Sequence, residues 1–145
     1  MVQKKVSIYV RPQSLVKAKE NFRTLLDQTD CYLEFHDLTD ADHFQKELRQ
    51  TDLLVNATSV GMDGESLPIS IDTRFPKELL VADIIYQPFE TPFLALARKQ
   101  EIEAVNGLGM LLYQAAGAFK LWTGENMPTG AIWQELENIY NSYNS

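Results

Sequence analysis

The first 60 residues contain no glycine, and nowhere in the 145-residue sequence is there a Gly-x-Gly-x-x-Gly run. That absence excludes a backbone-amide phosphate cradle of the glycine-loop kind. A single cysteine, Cys31, excludes an internal disulfide. Two histidines, His36 and His43, are too few for a histidine-rich zinc site. Thirteen Lys and Arg against 20 Asp and Glu give a formal net charge of −7, which argues against a nucleic-acid surface or an anionic-membrane surface. A local basic site for one phosphate is still compatible with that balance. No apolar run approaches a membrane span, and the amino-terminal MVQKKVSIYV is too short in apolar residues for a secretory signal, so a cytoplasmic setting is expected.

What is present suits a globular fold: 45% hydrophobic and 23% charged residues, in a length that fits one domain over 1–145. Val6-Ser-Ile-Tyr-Val10 alternates and is rich in strand formers, delivering Arg11-Pro12 into a loop. Leu15, Ala18, Phe22 and Leu25 recur at helical spacing. Cys31 to Phe35 reads as a second strand, and Thr39-Asp-Ala-Asp42 as a capping box before a short helix carrying Ala41, Phe44 and Leu48. Thr51 to Asn56 predicts a third strand, buried on both faces. A loop over 59–77 is punctuated by Gly61, Gly64, Pro68 and Pro76. Leu79 to Tyr86 predicts another apolar strand, and Thr91-Pro92 an N-cap with proline at the first helical position. Ile102 to Val105 is the last strand, followed by a long helix from Gly107 to Trp122, with Leu108, Leu111, Leu112, Ala115 and Phe119 as its core surface. A final helix carries Trp133, Leu136, Tyr140 and Tyr143 on one stripe. Strands alternating with crossover helices predict an α/β, Rossmann-like, mostly parallel sheet with helices on both faces.

Four stretches stand out: Asn56-Ala-Thr-Ser-Val-Gly-Met62, Asp83-Ile-Ile-Tyr86, Asn-Gly-Leu-Gly-Met at 106–110, and Gln114 in Tyr-Gln-Ala-Ala-Gly-Ala-Phe-Lys-Leu-Trp-Thr-Gly. Two glycines at the entry of a long apolar helix permit close approach to the backbone, or merely a tight turn. Together these stretches resemble the nicotinamide-dinucleotide domain of the shikimate and quinate dehydrogenase family, from about Val6 to Pro128. Against that pattern the sequence starts at the domain's second strand. The substrate domain, the first strand and the glycine loop are not matched, so a truncated NAD(P)-binding domain with a carboxyl-terminal helix is expected. The lost strand would be central, which predicts either that the Val6 and Asp52 strands close up or that a second copy fills the gap as a homodimer.

The resemblance implies roles residue by residue. Arg11 falls where the adenosine ribose is read, and with no acid beside it favours NADP, with NAD as the alternative. Thr58 and Ser59 fall along the cofactor ribose, and Ile84, Gly107 and Met110 beside the nicotinamide. Tyr86 and Gln114 face a small cyclic hydroxy acid. Plain alternatives stand beside each: a solvated arginine, turn chemistry at Thr58 and Ser59, a packing tyrosine, a core methionine and a backbone-bonded glutamine. Asp37, Asp52 and Asp83 read as turn or capping residues. No residue matches the lysine and aspartate that manage the proton in the family, so the complete enzyme is expected to reduce 3-dehydroshikimate and this chain alone to be inactive. Asp-Gln-Thr-Asp-Cys-Tyr and Phe-His-Asp-Leu resemble the branch that accepts quinate as well. A non-catalytic interaction module is the rival reading.

Overall fold

Strands and helices alternate along most of this chain, with one strand-to-strand connection that carries no helix. The structure, a computed structural model, describes residues 5–26 and 28–143, without the side chains of Leu26 or 141–143. Strands β1 (Lys5–Val10), β2 (Tyr32–Asp37), β3 (Leu53–Asn56), β4 (Leu80–Asp83) and β5 (Ala104–Val105) are joined by helices α1 (Leu15–Asn21), α2 (Arg23–Leu26), α3 (Ala41–Leu48) and α4 (Pro92–Lys99). Helices α5 (Leu108–Thr123) and α6 (Thr129–Tyr143) close the order. All described ladders are parallel, as the alternation predicts. The chain divides into two compact units, Met1–Gln50 and Thr51–Ser145.

In the first unit β1 pairs β2, with Tyr9 opposite His36. The predicted helix over 15–26 is interrupted at Phe22, whose ring meets Phe35 edge-on at 5.7 Å. Helix α3 is capped by Asp40, which accepts from His43 N at 3.0 Å, rather than by Thr39, which instead bonds the Asp37 carboxylate. Phe44 and Leu48 of α3 are buried. The Tyr9 ring stands edge-on to Phe44 at 5.0 Å and its hydroxyl lies 3.0 Å from His43 Nδ1. Burial pushes the Tyr9 phenol up to about 12. Lys5 forks between Glu34 at 2.7 Å and Glu47 at 2.6 Å.

In the second unit the order is β3-β4-β5. The described ladders all lie within one unit or the other, so the expected pairing of the Val6 and Asp52 strands is not among them. Helix α4 starts as predicted: Pro92 occupies its first turn and Thr91 Oγ1 accepts from Leu94 N. Its apolar face, Phe93, Leu94 and Ala97, is sealed together with Val81 of β4. Phe93, Leu94 and Val81 each contribute about 2 kcal/mol of hydrophobic stabilisation. The connection from β3 to β4 contains neither strand nor helix, as predicted. Its late part is pinned by Gln100, which accepts from Phe75 N at 3.1 Å and donates to Thr73 O at 2.9 Å.

Two burial expectations fail. Strand β3 is not buried on both faces, since Leu53 and Val55 are about half exposed. Helix α5 buries only Leu112 of its expected core surface, and Leu121 and Trp122 are 86% and 84% exposed. Apolar character shows that a face favours cover, but the cover must come from another element. Within this unit, among the described residues, α6 packs against α5 near its amino-terminal end, where Trp133 lies beside Gly109.

Candidate functional site at the carboxyl edge of the second unit

Three polar residues, Asn56, Asp83 and Thr91, are at most 5% exposed at the carboxyl ends of β3 and β4. A buried carboxylate requires donors, and here it has them. Asp83 Oδ1 accepts from Ile85 N at 3.0 Å, Oδ2 accepts from Thr91 Oγ1 at 2.8 Å, and Asn56 Nδ2 donates to both oxygens at 3.2 Å. Asn56 also donates to Val60 O, while its own Oδ1 accepts from Thr58 N and Thr58 Oγ1. Hydrogen bonds to a buried charge contribute about 2 kcal/mol each. With its acceptor positions engaged, Asp83 is a structural hub and is not offered as a general base. Its expected turn role is observed, in a form that reaches across three elements.

Beyond Asp83 the chain is held at Ile84. Ile84 N donates to Asn56 O at 3.1 Å, and Gly107 N donates to Ile85 O at 3.0 Å. A Cβ on Gly107 would lie 2.0 Å from the Ile84 carbonyl oxygen, so only glycine fits there. Asn106 completes the junction: its Oδ1 accepts from Leu108 N, and its Nδ2 donates to Phe89 O. Gln87–Pro88, just before this contact, is a cis peptide.

The junction opens onto a cavity of about 600 Å³. Val55, Ala82 and Ile84 form the sheet side, Met110 the start of α5, and Trp133 and Tyr140 the α6 side. The Tyr140 ring lies 4.7 Å from Phe89, and Trp133 Nε1 donates to Glu137 Oε1 at 2.6 Å. The walls are mainly apolar and aromatic, suited to a flat ligand bound by stacking and exclusion of water.

Of the residues singled out from sequence, Ile84, Gly107 and Met110 come together at this cavity. Tyr86 follows β4, 46% exposed, and Gln114 is exposed one turn along α5 from Met110; neither lines the cavity. Solvent is therefore available to the Gln114 amide. Thr58 and Ser59 lie in the exposed turn after β3, where the Thr58 hydroxyl donates to Asn56 Oδ1 at 2.7 Å and accepts from Val60 N at 3.1 Å. Arg11 belongs to the other unit, exposed after β1, its carbonyl accepting from Ser14 N. Trp133, Leu136 and Tyr140 of the expected α6 stripe line the cavity, a place the sequence did not disclose, and the Tyr143 side chain lies outside those described. Asn56 and Asp83 carried a signal as polar ends on apolar strands. No group of three or more His, Cys, Asp or Glu side chains among the described residues converges as a metal site. No described helix is long and apolar enough to cross a membrane.

Residues 107–137, from Gly107 through α5 and into α6, match the family model described as the shikimate 5'-dehydrogenase C-terminal domain. A shikimate dehydrogenase (NADP(+)) from Streptococcus pneumoniae is 53% identical over 135 residues, covering 93% of this chain and 48% of the relative. A crystal structure of shikimate 5-dehydrogenase from Listeria monocytogenes, in complex with shikimate and NAD, superposes with a TM-score of 0.82 at 36% identity. That match covers 92% of this chain and 47% of the other. The Thermus thermophilus enzyme in complex with NADP(H) and shikimate gives a TM-score of 0.65 at 32% identity, over 86% and 42% of the two chains. The chain thus spans about half the length of the curated relatives it matches. The sequence identity, the shared fold and the matched α5 junction agree: the chain belongs to the shikimate dehydrogenase family and corresponds to its carboxyl-terminal, Rossmann-like half.

Proposed function

We propose that this chain is the cofactor-domain portion of an NADP-dependent shikimate dehydrogenase, which in complete form reduces 3-dehydroshikimate to shikimate. The observation that carries this reading is the cavity, which gathers Ile84, Gly107 and Met110, the residues that the resemblance assigns to the nicotinamide side. An apolar, aromatic-walled cavity of about 600 Å³ suits a nicotinamide ring with its ribose. The fit covers that end of the cofactor. Gly61, Gly64 and the Gly107 junction supply no Gly-x-Gly-x-x-Gly turn for the pyrophosphate.

When bound, the nicotinamide supplies the hydride chemistry. The chain's own part is to bind and orient: Ile84 and Met110 exclude water beside the ring, Thr58 and Ser59 border the ribose, and Arg11 pairs with a 2'-phosphate, favouring NADP over NAD. Tyr86 and Gln114 present a phenol and an amide to the hydroxyl and carboxylate groups of a small cyclic acid, shikimate or quinate. The proton would be managed by a lysine and an aspartate with no counterpart here, so the isolated chain turns nothing over. In this reading residues 1–145 act as one truncated cofactor-binding domain.

Calorimetric titration of the pure chain with NADP⁺, beside NAD⁺, tests the reading. Heat with a preference for NADP⁺ supports it, and no heat with either at millimolar ligand means that the glycine turn is indispensable and that the chain alone forms no cofactor half-site. A second reading, a non-catalytic module that pairs with a copy of itself, is favoured by the exposed apolar face of α5. Light scattering showing a dimer, together with no nucleotide heat, selects that alternative.

A further inference from the structure

We infer that Asp83 is a positioning residue that sets the sheet-side wall of the cavity, acting through Ile84, and that Asn56 and Thr91 are its fixed partners. The inference rests on the nicotinamide reading of that cavity and concerns a residue of its lining whose two oxygens are engaged by protein donors.

Asp83 is the last residue of β4 and is 2% exposed, so its oxygens face the groups that bind them and not solvent. Each of those groups is a donor: the Ile85 amide, the Thr91 hydroxyl and the Asn56 carboxamide NH₂. The site therefore requires an acceptor-only side chain. An asparagine there would turn an NH₂ toward the Asn56 NH₂ whichever way its amide faced, and toward the Ile85 amide in one of the two orientations.

What the hub holds is the path of residues 84 and 85. Asn56, fixed by Asp83, receives Ile84 N on its backbone oxygen; Asp83 receives Ile85 N; and Ile85 O receives Gly107 N. The Ile84 carbonyl is pressed against the Cα of Gly107, with no room for a side chain between them. Ile84, 37% exposed, consequently lines the cavity from a backbone fixed on both sides. The same Asn56 carboxamide orders Thr58 and Val60 beyond β3, and the same Thr91 hydroxyl caps α4. One carboxylate thereby fixes the ends of two strands and the start of a helix around one ligand wall.

The test compares the full chain with Asp83→Asn by two readouts: amide hydrogen exchange by NMR, and titration with nicotinamide mononucleotide. Asp83→Asn is expected to expose not only Ile85 and Leu94 but also Ile84, Gly107 and Val60, while Val81 in mid-strand stays protected. Affinity for nicotinamide mononucleotide is expected to fall about tenfold or more, the usual effect of a misplaced binding wall. Exchange confined to Ile85 and Leu94, with affinity unchanged, would overturn the inference and leave Asp83 a local cap. Should Asp83→Asn lose protection at Val81 as well, Thr91→Val replaces it, with the same pattern expected in weaker form and Thr91→Ser restoring the native one. Should the native chain show no affinity for the mononucleotide, the nicotinamide reading falls, and the exchange pattern alone decides whether Asp83 holds Gly107 and Val60.

Discussion

The carbonyl of Ile84 occupies the space in which a side chain on Gly107 would begin, 2.0 Å from the ideal Cβ position. Both partners are backbone, so no rotamer change relieves the clash. Gly107→Ala is therefore expected to cost about 3 kcal/mol or more, at the upper end of overpacking effects. Denaturant unfolding followed by fluorescence measures this, and a loss below about 1 kcal/mol would contradict so close an approach.

Gly117, in the middle of α5, has open space where its Cβ would go. Gly117→Ala should raise stability by about 0.5–1 kcal/mol, because alanine loses less backbone entropy in a helix. The pair of substitutions separates two uses of glycine by the sign of the change.

Lys5, bonded to Glu34 and then Glu47, has its ammonium held well above the usual lysine range, while both carboxyls are held below theirs, first by that Lys5 bond. The lysine's contribution is present below its ordinary value of about 10.4 and is lost as pH rises through its folded value. The carboxylate contributions are present above about 4.3 and are lost as pH falls through the lowered values. The fork thus supports the first unit between about pH 5 and 10, less so in high salt. Lys5→Met should flatten the acid-side fall of the melting temperature below pH 5; an unchanged acid limb would mean the fork is energetically silent.

Met110 is 55% exposed and lines the cavity from α5. Met110→Glu places a carboxylate against a site proposed for an apolar ring, and about a tenfold loss of NADP⁺ affinity is expected with little change in melting temperature. Equal affinity in both proteins would move the ligand away from this wall.

Leu121 and Trp122 are almost fully exposed, and replacing both with serine should alter folding stability by less than about 0.5 kcal/mol. If this face drives self-association, light scattering at high concentration should show the native chain larger than the variant. Identical sizes would remove the homodimer reading.

The parts of the fold that sequence disclosed were those written in neighbouring residues. Thr91-Pro92 announces the start of α4 because cap and first turn are contiguous, and the parallel pairing follows from alternating strands and crossovers. Two polar residues ending apolar strands were visible at Asn56 and Asp83, yet their mutual bond joins residues 27 apart, beyond any local pattern. The exposure of Val55 and Leu111 was misjudged for a related reason: composition records an appetite for burial, and only the tertiary arrangement supplies the cover. Gly107 permits close approach by its lack of a side chain, but a sequence does not disclose that the approaching group is the backbone of Ile84.

Gln100 bonds Phe75 N and Thr73 O with the two halves of one side-chain amide, donor and acceptor, as a neighbouring strand's backbone would. The long connection between β3 and β4 is therefore anchored near β4 by Gln100, as it is near β3 by the Asn56 bond to Val60 O and by Gly61, buried beside Thr91 and Ile85. Between these anchors Gly64 has open surroundings, so an insertion there meets only the local turn that Asp63 makes with Glu65 N and Ser66 N. A single residue added between Thr73 and Phe75 would unhook both bonds at once.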